Sequence, residues 1–114
     1  MKTDELTGAA LDRAVAKAKG ITVFTSKQGK LMTSNYGDFN PRQGAPWWCP
    51  STNWAQGGRI IEREGISVRK INGKWFGVMD DGRFEEGSTP LTAAMRCYVA
   101  NTVGEDVDIP EEFV

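Results

Sequence analysis

The residues best suited to chemistry lie in one short central segment of the chain. Trp47, Trp48 and Trp54 fall within eight positions of one another and are interleaved with small polar side chains. Aromatic walls with a few polar groups are typical of ligand pockets and of the anchors of protein interfaces. The complete candidate binding surface comprises Trp47, Trp48, Ser51, Asn53, Trp54, Gln56, Gly57, Gly58 and Arg59.

Two kinds of binding site fit this segment. Neighbouring side chains in extended backbone point in opposite directions, so one of Trp47 and Trp48 is expected to be exposed, as an anchor for a protein partner is. Alternatively, Gly57 and Gly58 beside a helix start could offer backbone N–H groups to a small anion or nucleotide-like ligand, with Arg59 supplying charge. A protein-binding site predicts an exposed apolar patch without a deep cavity. A ligand site predicts a concave surface at the tryptophans and glycines.

The composition argues against an enzyme. Histidine is absent, which removes the commonest general base and the commonest metal ligand, and there is no glycine-rich phosphate loop. The adjacent acids at residues 80–81 and 85–86 are expected to be solvated. Cys49 and Cys97 are too few for a zinc site and are expected to be free thiols that fill apolar space. We therefore predict no catalytic activity, no cofactor and no metal.

The charge distribution bears on nucleic-acid binding. A basic face with a stacking tryptophan would suit single-stranded nucleic acid, but the net charge of −1 argues against a dedicated nucleic-acid binder. The acidic tail at residues 104–114 holds five acids and no base, and its apolar positions predict that it docks on its own domain. The basic face would consist of Arg42, Arg59, Arg63, Arg69 and Lys70.

Periodicity places a helix and two strands before the central segment. Residues 7–20 carry an apolar stripe between a threonine N-cap and a glycine end, with Asp12 expected on the solvent side. Residues 21–25 and 30–34 are predicted strands because they are rich in β-branched and aromatic side chains. The hydrophobic pattern shows no helix or strand periodicity at about residues 35–50, which predicts a long irregular loop.

The central helix has two interpretations. Ser51 could cap one continuous helix to residue 64, or the glycine pair could break it, so that a shorter helix begins at Arg59. In the continuous helix Trp54 shares a stripe with Ile61 and is expected in the core, as is Trp75. The sequence does not separate the two interpretations.

The last third of the chain predicts a hairpin and a helix. Residues 66–71 and 74–79 flank an Asn-Gly pair, which is typical of a two-residue hairpin turn, and polar loops follow at residues 80–82 and 86–87. A helix begins at the Thr89 cap and ends at Gly104. Its apolar stripe includes Met95, whereas Arg96 lies off the stripe and its replacement is expected to be nearly silent unless it serves a site.

These elements predict a single α+β domain over residues 1–114, with about three helices packed on a small, mostly antiparallel sheet. No apolar run is long enough for a membrane span, and no signal peptide is apparent.

Three blocks of the sequence resemble the NinX family of small phage proteins. They are residues 6–20, residues 51–65, with the specific run Trp-Ala-Gln-Gly-Gly at 54–58, and residues 89–101. Asn53 and Arg59 depart from the pattern, standing where an acid and a proline are expected. The arrangement is also similar to a broader group of phage α/β sandwich domains. The resemblance implies a phage or prophage origin and work in the cytoplasm of the infected bacterium, but no mechanism.

We therefore expect a phage accessory protein that binds a host bacterial protein without catalysis. A small anionic or nucleotide-like ligand is the alternative, and single-stranded nucleic acid is third. The exposed member of the Trp47 and Trp48 pair is expected to belong to the contact surface, together with Asn53, Gln56 and Arg59.

Overall fold

The computed structural model describes residues 1–33 and 47–109. Most of the irregular segment predicted at residues 35–50, including Arg42, lies outside these ranges, as do the last residues of the acidic tail. The described ranges contain three α-helices and five strands, which confirms the α+β class. After a 3-10 turn at Thr3–Glu5 come helix α1 Gly8–Lys19, strands β1 Val23–Thr25 and β2 Leu31–Thr33, helix α2 Trp54–Glu64, strands β3 Ser67–Ile71, β4 Lys74–Val78 and β5 Phe84–Gly87, and helix α3 Pro90–Thr102.

The strands form two antiparallel sheets, one of β1 and β2 and one in the order β3-β4-β5. The predicted Asn72-Gly73 hairpin is confirmed, because both turn residues have positive φ angles of 51° and 82°. Its register places Lys70 opposite Trp75, and the Lys70 ammonium lies 5.9 Å from the ring centroid of the half-buried Trp75. A cation and an aromatic face thus meet across the hairpin.

Strand β5 corrects the loop predicted at residues 86–87. Residues 84–87 pair with β4, with Phe84 opposite Val78 and Gly87 opposite Trp75. The adjacent acids at 85–86 have low strand propensity, so this strand forms because of its pairing with β4 and its packing on α3 rather than its composition.

Helix α3 packs directly on the three-stranded sheet because two strand positions are glycine. A Cβ atom added at Gly77 would lie 2.8 Å from the carbonyl oxygen of Ala93, and one added at Gly87 would lie 2.5 Å from the Ala93 nitrogen. Met95 of α3 is fully buried, as its stripe predicts. The helix begins at the predicted Thr89 cap, but it ends two residues before Gly104, at Thr102.

Arg96 makes two hydrogen bonds that its position off the apolar stripe does not predict. Its Nε atom donates to the carbonyl oxygen of Leu6, and its Nη1 atom donates to that of Glu86, both at 2.8 Å. The guanidinium therefore connects α3 to the segment before α1 and to β5. Sequence spacing places Arg96 off the apolar stripe, but it gives no information on these long-range acceptors.

Helix α1 supplies a second face of the core. Its predicted ends are confirmed, with Thr7 at the N-cap position and Gly20 in the left-handed conformation that ends the helix. Asp12 was expected on the solvent side, and this is wrong, because its side chain is only 5% exposed. The carboxyl group instead faces the segment that precedes α2.

The acidic tail docks on the N-terminal segment, as predicted, over the part that the structure describes. The backbone nitrogen of Thr3 donates to Glu105 O, the Met1 nitrogen donates to Val107 O, and Val107 is 1% exposed. Both cysteines are free, Cys97 in the core and Cys49 half-buried. The prediction of thiols that fill apolar space is thus confirmed for Cys97 and holds only in part for Cys49.

Candidate functional site

Trp48 is a structural anchor rather than a contact residue. Its side chain is 3% exposed and belongs to the core cluster. Its indole Nε1 donates to the backbone oxygen of Asp12 at 2.9 Å, and its backbone nitrogen donates to Leu31 O at 2.8 Å. A buried indole with a satisfied N–H group fixes the chain segment that carries it. Trp48 therefore ties this segment to α1 and to β2.

A buried carboxylate holds the next turn of the segment. Oδ1 of Asp12 accepts a hydrogen bond from the backbone nitrogen of Ser51 at 2.8 Å. Burial raises the pKa of Asp12 to about 6, against the opposing effect of the Ser51 hydrogen bond. The Ser51 hydroxyl oxygen is buried and makes no hydrogen bond of normal geometry within the described residues. The hydroxyl nevertheless lies near the Asp12 carboxylate and acts to lower the pKa of Asp12.

Gln56 clamps the loop that contains Trp47. Its Oε1 accepts from the Cys49 backbone nitrogen at 2.7 Å, and its Nε2 donates to the carbonyl oxygen of Trp47 at 2.8 Å. The side chain is 5% exposed, so Gln56 positions this loop and is not accessible at the contact surface that the sequence predicts for it. Trp47 is the exposed member of the tryptophan pair, at 37%, and the Lys30 ammonium lies 5.3 Å from its ring centroid.

Helix α2 begins two residues later than one interpretation of the sequence predicts. Asn53 is the N-cap, and its Oδ1 accepts from the Gln56 nitrogen at 3.2 Å, so the predicted cap at Ser51 is wrong. The helix then continues without interruption from Trp54 to Glu64. The continuous interpretation is confirmed, and Asn53 has a local structural role at the helix start.

The glycine pair does not form an anion-binding loop. Both residues lie inside α2, and the Gly57 nitrogen donates to Asn53 O at 2.8 Å, which removes it as a ligand donor. A Cβ atom at Gly57 would collide with Pro50 O and with Cδ2 of Leu91. Gly57 therefore permits close packing of α2 on its neighbours, as the sequence predicts for the inner face. Gly58 has only the Trp54 ring near it.

Trp54 is the largest correction to the predicted core. Its side chain is 58% exposed, because the buried face of α2 is formed by Gln56, Gly57 and Ile60. Arg59 is also exposed on this helix. Trp54 borders a groove of about 260 Å³, which lies where α2 and α3 begin. The groove is lined by Ser51, Thr52, Trp54, Thr89, Pro90, Leu91 and Thr92.

The α3 residues of this groove were missed by the sequence interpretation. Thr89 and Pro90 were identified only as the start of a helix, and the sequence has no signal that brings them to Trp54 across 35 positions. The packing of Gly57 against Leu91 is what joins the two helix starts. The candidate surface thus reduces to exposed Trp47, Trp54 and Arg59 held on a structural frame.

Fold and site define a small α+β domain whose central segment fixes exposed aromatic side chains on a rigid base. The family model described as "Bacteriophage P22, NinX" matches residues 2–102. The chain therefore belongs to the NinX family of phage proteins. The search of curated proteins finds no match. Among the described residues, no helix has the length and apolar composition required to cross a membrane.

Proposed function

We propose that this phage protein is a non-enzymatic binding module that attaches to a host protein inside the infected bacterium. The observation that carries the proposal is Trp54, an indole that is 58% exposed at the first turn of α2. Tryptophan is enriched among the residues that dominate protein interfaces, because it supplies a large contact area at low conformational cost.

The surroundings of Trp54 favour a protein partner. The Asn53 cap and the close packing of Gly57 fix the helix start, so the indole is presented on a rigid element. The groove beside it adds the apolar ring of Pro90 and the side chain of Thr89, which carries both a methyl and a hydroxyl group. An apolar anchor with a polar rim is the common arrangement of a protein-binding patch.

A small anionic ligand has less support. The concave site expected at the tryptophans and glycines does not assemble, because Trp48 is buried and Gly57 is packed. The groove at Trp54, about 260 Å³, falls below the range of roughly 300–1,000 Å³ that small-molecule sites usually occupy. A shallow groove beside an exposed indole suits a protein side chain better than an enclosed ligand.

No catalytic step belongs to this proposal. The chain lacks histidine, and within residues 1–33 and 47–109 no three His, Cys, Asp or Glu side chains are grouped to hold a metal. Purified protein should therefore show no turnover in a broad hydrolase and nucleotide screen. Activity that tracks protein dose and survives repurification would contradict this part of the proposal.

The test is affinity capture from infected cells with a matched pair of variants. Trp54→Ala removes the proposed anchor, whereas Phe24→Ala removes an aromatic side chain of similar exposure, 52%, on strand β1. Both changes should alter the free energy of unfolding by under about 1 kcal/mol, as exposed sites do. We expect Trp54→Ala to lose a host protein that the parent and Phe24→Ala both retain after nuclease treatment of the lysate. Retention of every partner by Trp54→Ala contradicts the proposal.

A further inference from the structure

A second and larger cleft lies between the C-terminal half of α3, the start of β5 and residues 104–105. Its volume is about 510 Å³, which falls within the range of small-molecule sites. The cleft is lined by Gly82, Arg83, Phe84, Glu85, Cys97, Ala100, Asn101, Gly104 and Glu105. None of these residues belongs to the predicted contact surface.

The charges at this cleft are unbalanced toward negative. Glu85 and Glu105 line it, and neither carboxylate has an ion-pair partner in the part of the chain that the structure describes. Arg83, the basic residue in the lining, is paired with Asp81, with 3.3 Å between Nε and Oδ2. The Arg96 guanidinium close by donates to two backbone carbonyls.

The pKa of Glu85 responds to this excess of negative charge. Partial burial raises the pKa of Glu85, and the negative charges of Asp4 and Glu105 raise it further, with Arg96 acting in the opposite direction. A cation that binds beside a carboxylate surrounded by like charges stabilises its ionised form, because the cation reduces the repulsion and replaces lost hydration.

The floor of the cleft is uncharged. Burial, with the nearby charges of Glu85 and Asp81, raises the pKa of the Cys97 thiol to about 11, so the thiol stays neutral at pH 7. Ala100 contributes a methyl group, and the exposed Asn101 lines the cleft with an amide that can accept or donate a hydrogen bond. The cleft therefore combines an acidic rim with a floor that suits methylene groups.

We propose that this cleft binds an alkylammonium group, with the ammonium at Glu85 and Glu105 and the methylene chain against Cys97 and Ala100. A metal ion fits less well, because no group of three or more His, Cys, Asp or Glu side chains that could hold one occurs among residues 1–33 and 47–109. An ammonium needs only one or two carboxylates and an amide oxygen. The site is independent of the groove at Trp54 and does not rest on the proposed host contact.

Two sources present this chemistry, a free aliphatic diamine and the lysine side chain of another protein. Both place an ammonium at the end of a flexible methylene chain, and the cleft is open enough to admit either. The experiment therefore uses two probes, 1,4-diaminobutane and the peptide acetyl-Gly-Lys-Gly-amide. Uncharged 1,4-butanediol serves as the control for the methylene chain alone.

The test is an NMR titration of the isotope-labelled protein. Either amine should shift the backbone amides of Ala100 and Asn101 saturably, and butanediol should not. Glu85→Gln should weaken amine binding by about tenfold, the effect of removing one close charge contact. Glu62→Gln, the same change at an exposed position on α2, should leave the affinity unchanged.

The outcomes separate the sources and decide the proposal. Saturable binding of the diamine alone identifies a free amine, and binding of the peptide identifies a lysine side chain, and both support the site. Absence of saturable shifts with both amines overturns it. Equal weakening by Glu85→Gln and Glu62→Gln also overturns it, because diffuse attraction to an acidic surface would then account for the binding. Capture of a host protein through Trp54 is unaffected by any of these results.

Discussion

The carboxylate oxygen Oδ1 of Asp12 accepts a hydrogen bond from the backbone nitrogen of Ser51 at 2.8 Å, across 39 positions of sequence. The backbone oxygen of the same aspartate accepts from the indole of Trp48. One residue of α1 thus holds the segment that leads into α2 at two points. The exposed side chains of the candidate surface depend on this buried connection for their position.

The buried carboxylate predicts a pH dependence of stability. The folded pKa of Asp12, about 6, lies above its ordinary value of 3.8, so between about pH 4 and 6 the folded state binds more protons than the unfolded state. The contribution of Asp12 is most favourable below pH 4 and is lost as the pH rises through 6. The full effect is about 3 kcal/mol, at 1.36 kcal/mol for each pKa unit.

Asp12→Asn isolates this contribution because its amide oxygen can still accept from Ser51. Relative to the parent, the variant should gain stability as the pH rises from 4 to 7 in urea unfolding experiments. Glu62→Gln, at an exposed carboxyl group on α2, should leave the parental profile in place. A constant difference between Asp12→Asn and the parent at all pH values would show that the Asp12 pKa is not raised.

The adjacent glycines of α2 should respond in opposite directions to alanine. Gly57→Ala forces a methyl group against Pro50 O and Leu91 and should destabilise by about 1–3 kcal/mol. Gly58→Ala meets only the Trp54 ring at 3.8 Å and should stabilise by about 0.5–1 kcal/mol, the usual gain in a helix interior. Thermal unfolding of both variants measures the difference. Equal effects would mean that α2 does not pack on α3 through Gly57.

The glycine pair also shows what the sequence can and cannot predict. The ends of α1 and the Asn72-Gly73 hairpin follow from local signals, since a helix boundary or a positive φ angle depends on residues a few positions apart. The sequence also indicates that Gly57 permits a close approach. It does not identify Leu91 as the neighbour, because that contact depends on how distant elements pack.

The exposure of Trp54 and the burial of Trp48 have the same cause. Helical spacing groups Trp54 with Ile61, but the start of α2 is set by its Asn53 cap and its rotation by the buried Gln56. Trp48 is buried because α1 and β2 offer it hydrogen-bond partners 36 and 17 positions away. Contacts of that separation leave no periodic pattern in the sequence.

Gln56 should stabilise the fold through the two hydrogen bonds of its buried side chain. Gln56→Ala removes the acceptor of the Cys49 nitrogen and the donor to the Trp47 oxygen, and should cost about 1–3 kcal/mol because both groups are partly buried. Gln28→Ala, in an exposed turn, is the matched control and should stay within about 0.5 kcal/mol of the parent. Urea unfolding that gives the same midpoint for both variants would contradict the clamp.

Two neighbouring residues of α3 should both be costly to truncate, for different reasons. Met95→Ala leaves a cavity in the core and should destabilise by about 2–5 kcal/mol. Arg96→Ala removes the donors to Leu6 and Glu86 and should cost about 1–3 kcal/mol. Lys27→Ala in an exposed turn is the control for loss of a basic side chain. A parental unfolding midpoint for Arg96→Ala would mean that these bonds do not form in solution.

Photo-crosslinking in infected cells shows whether the groove at Trp54 contacts a host protein. A photoreactive amino acid replaces Thr52, an exposed residue of the groove, or Lys27, which lies in an exposed turn outside it. We expect the probe at 52 to crosslink a host protein, Trp54→Ala to abolish this product, and the probe at 27 to give no such product. A probe at 52 that crosslinks no host protein, or a product that persists without Trp54, would contradict the claim.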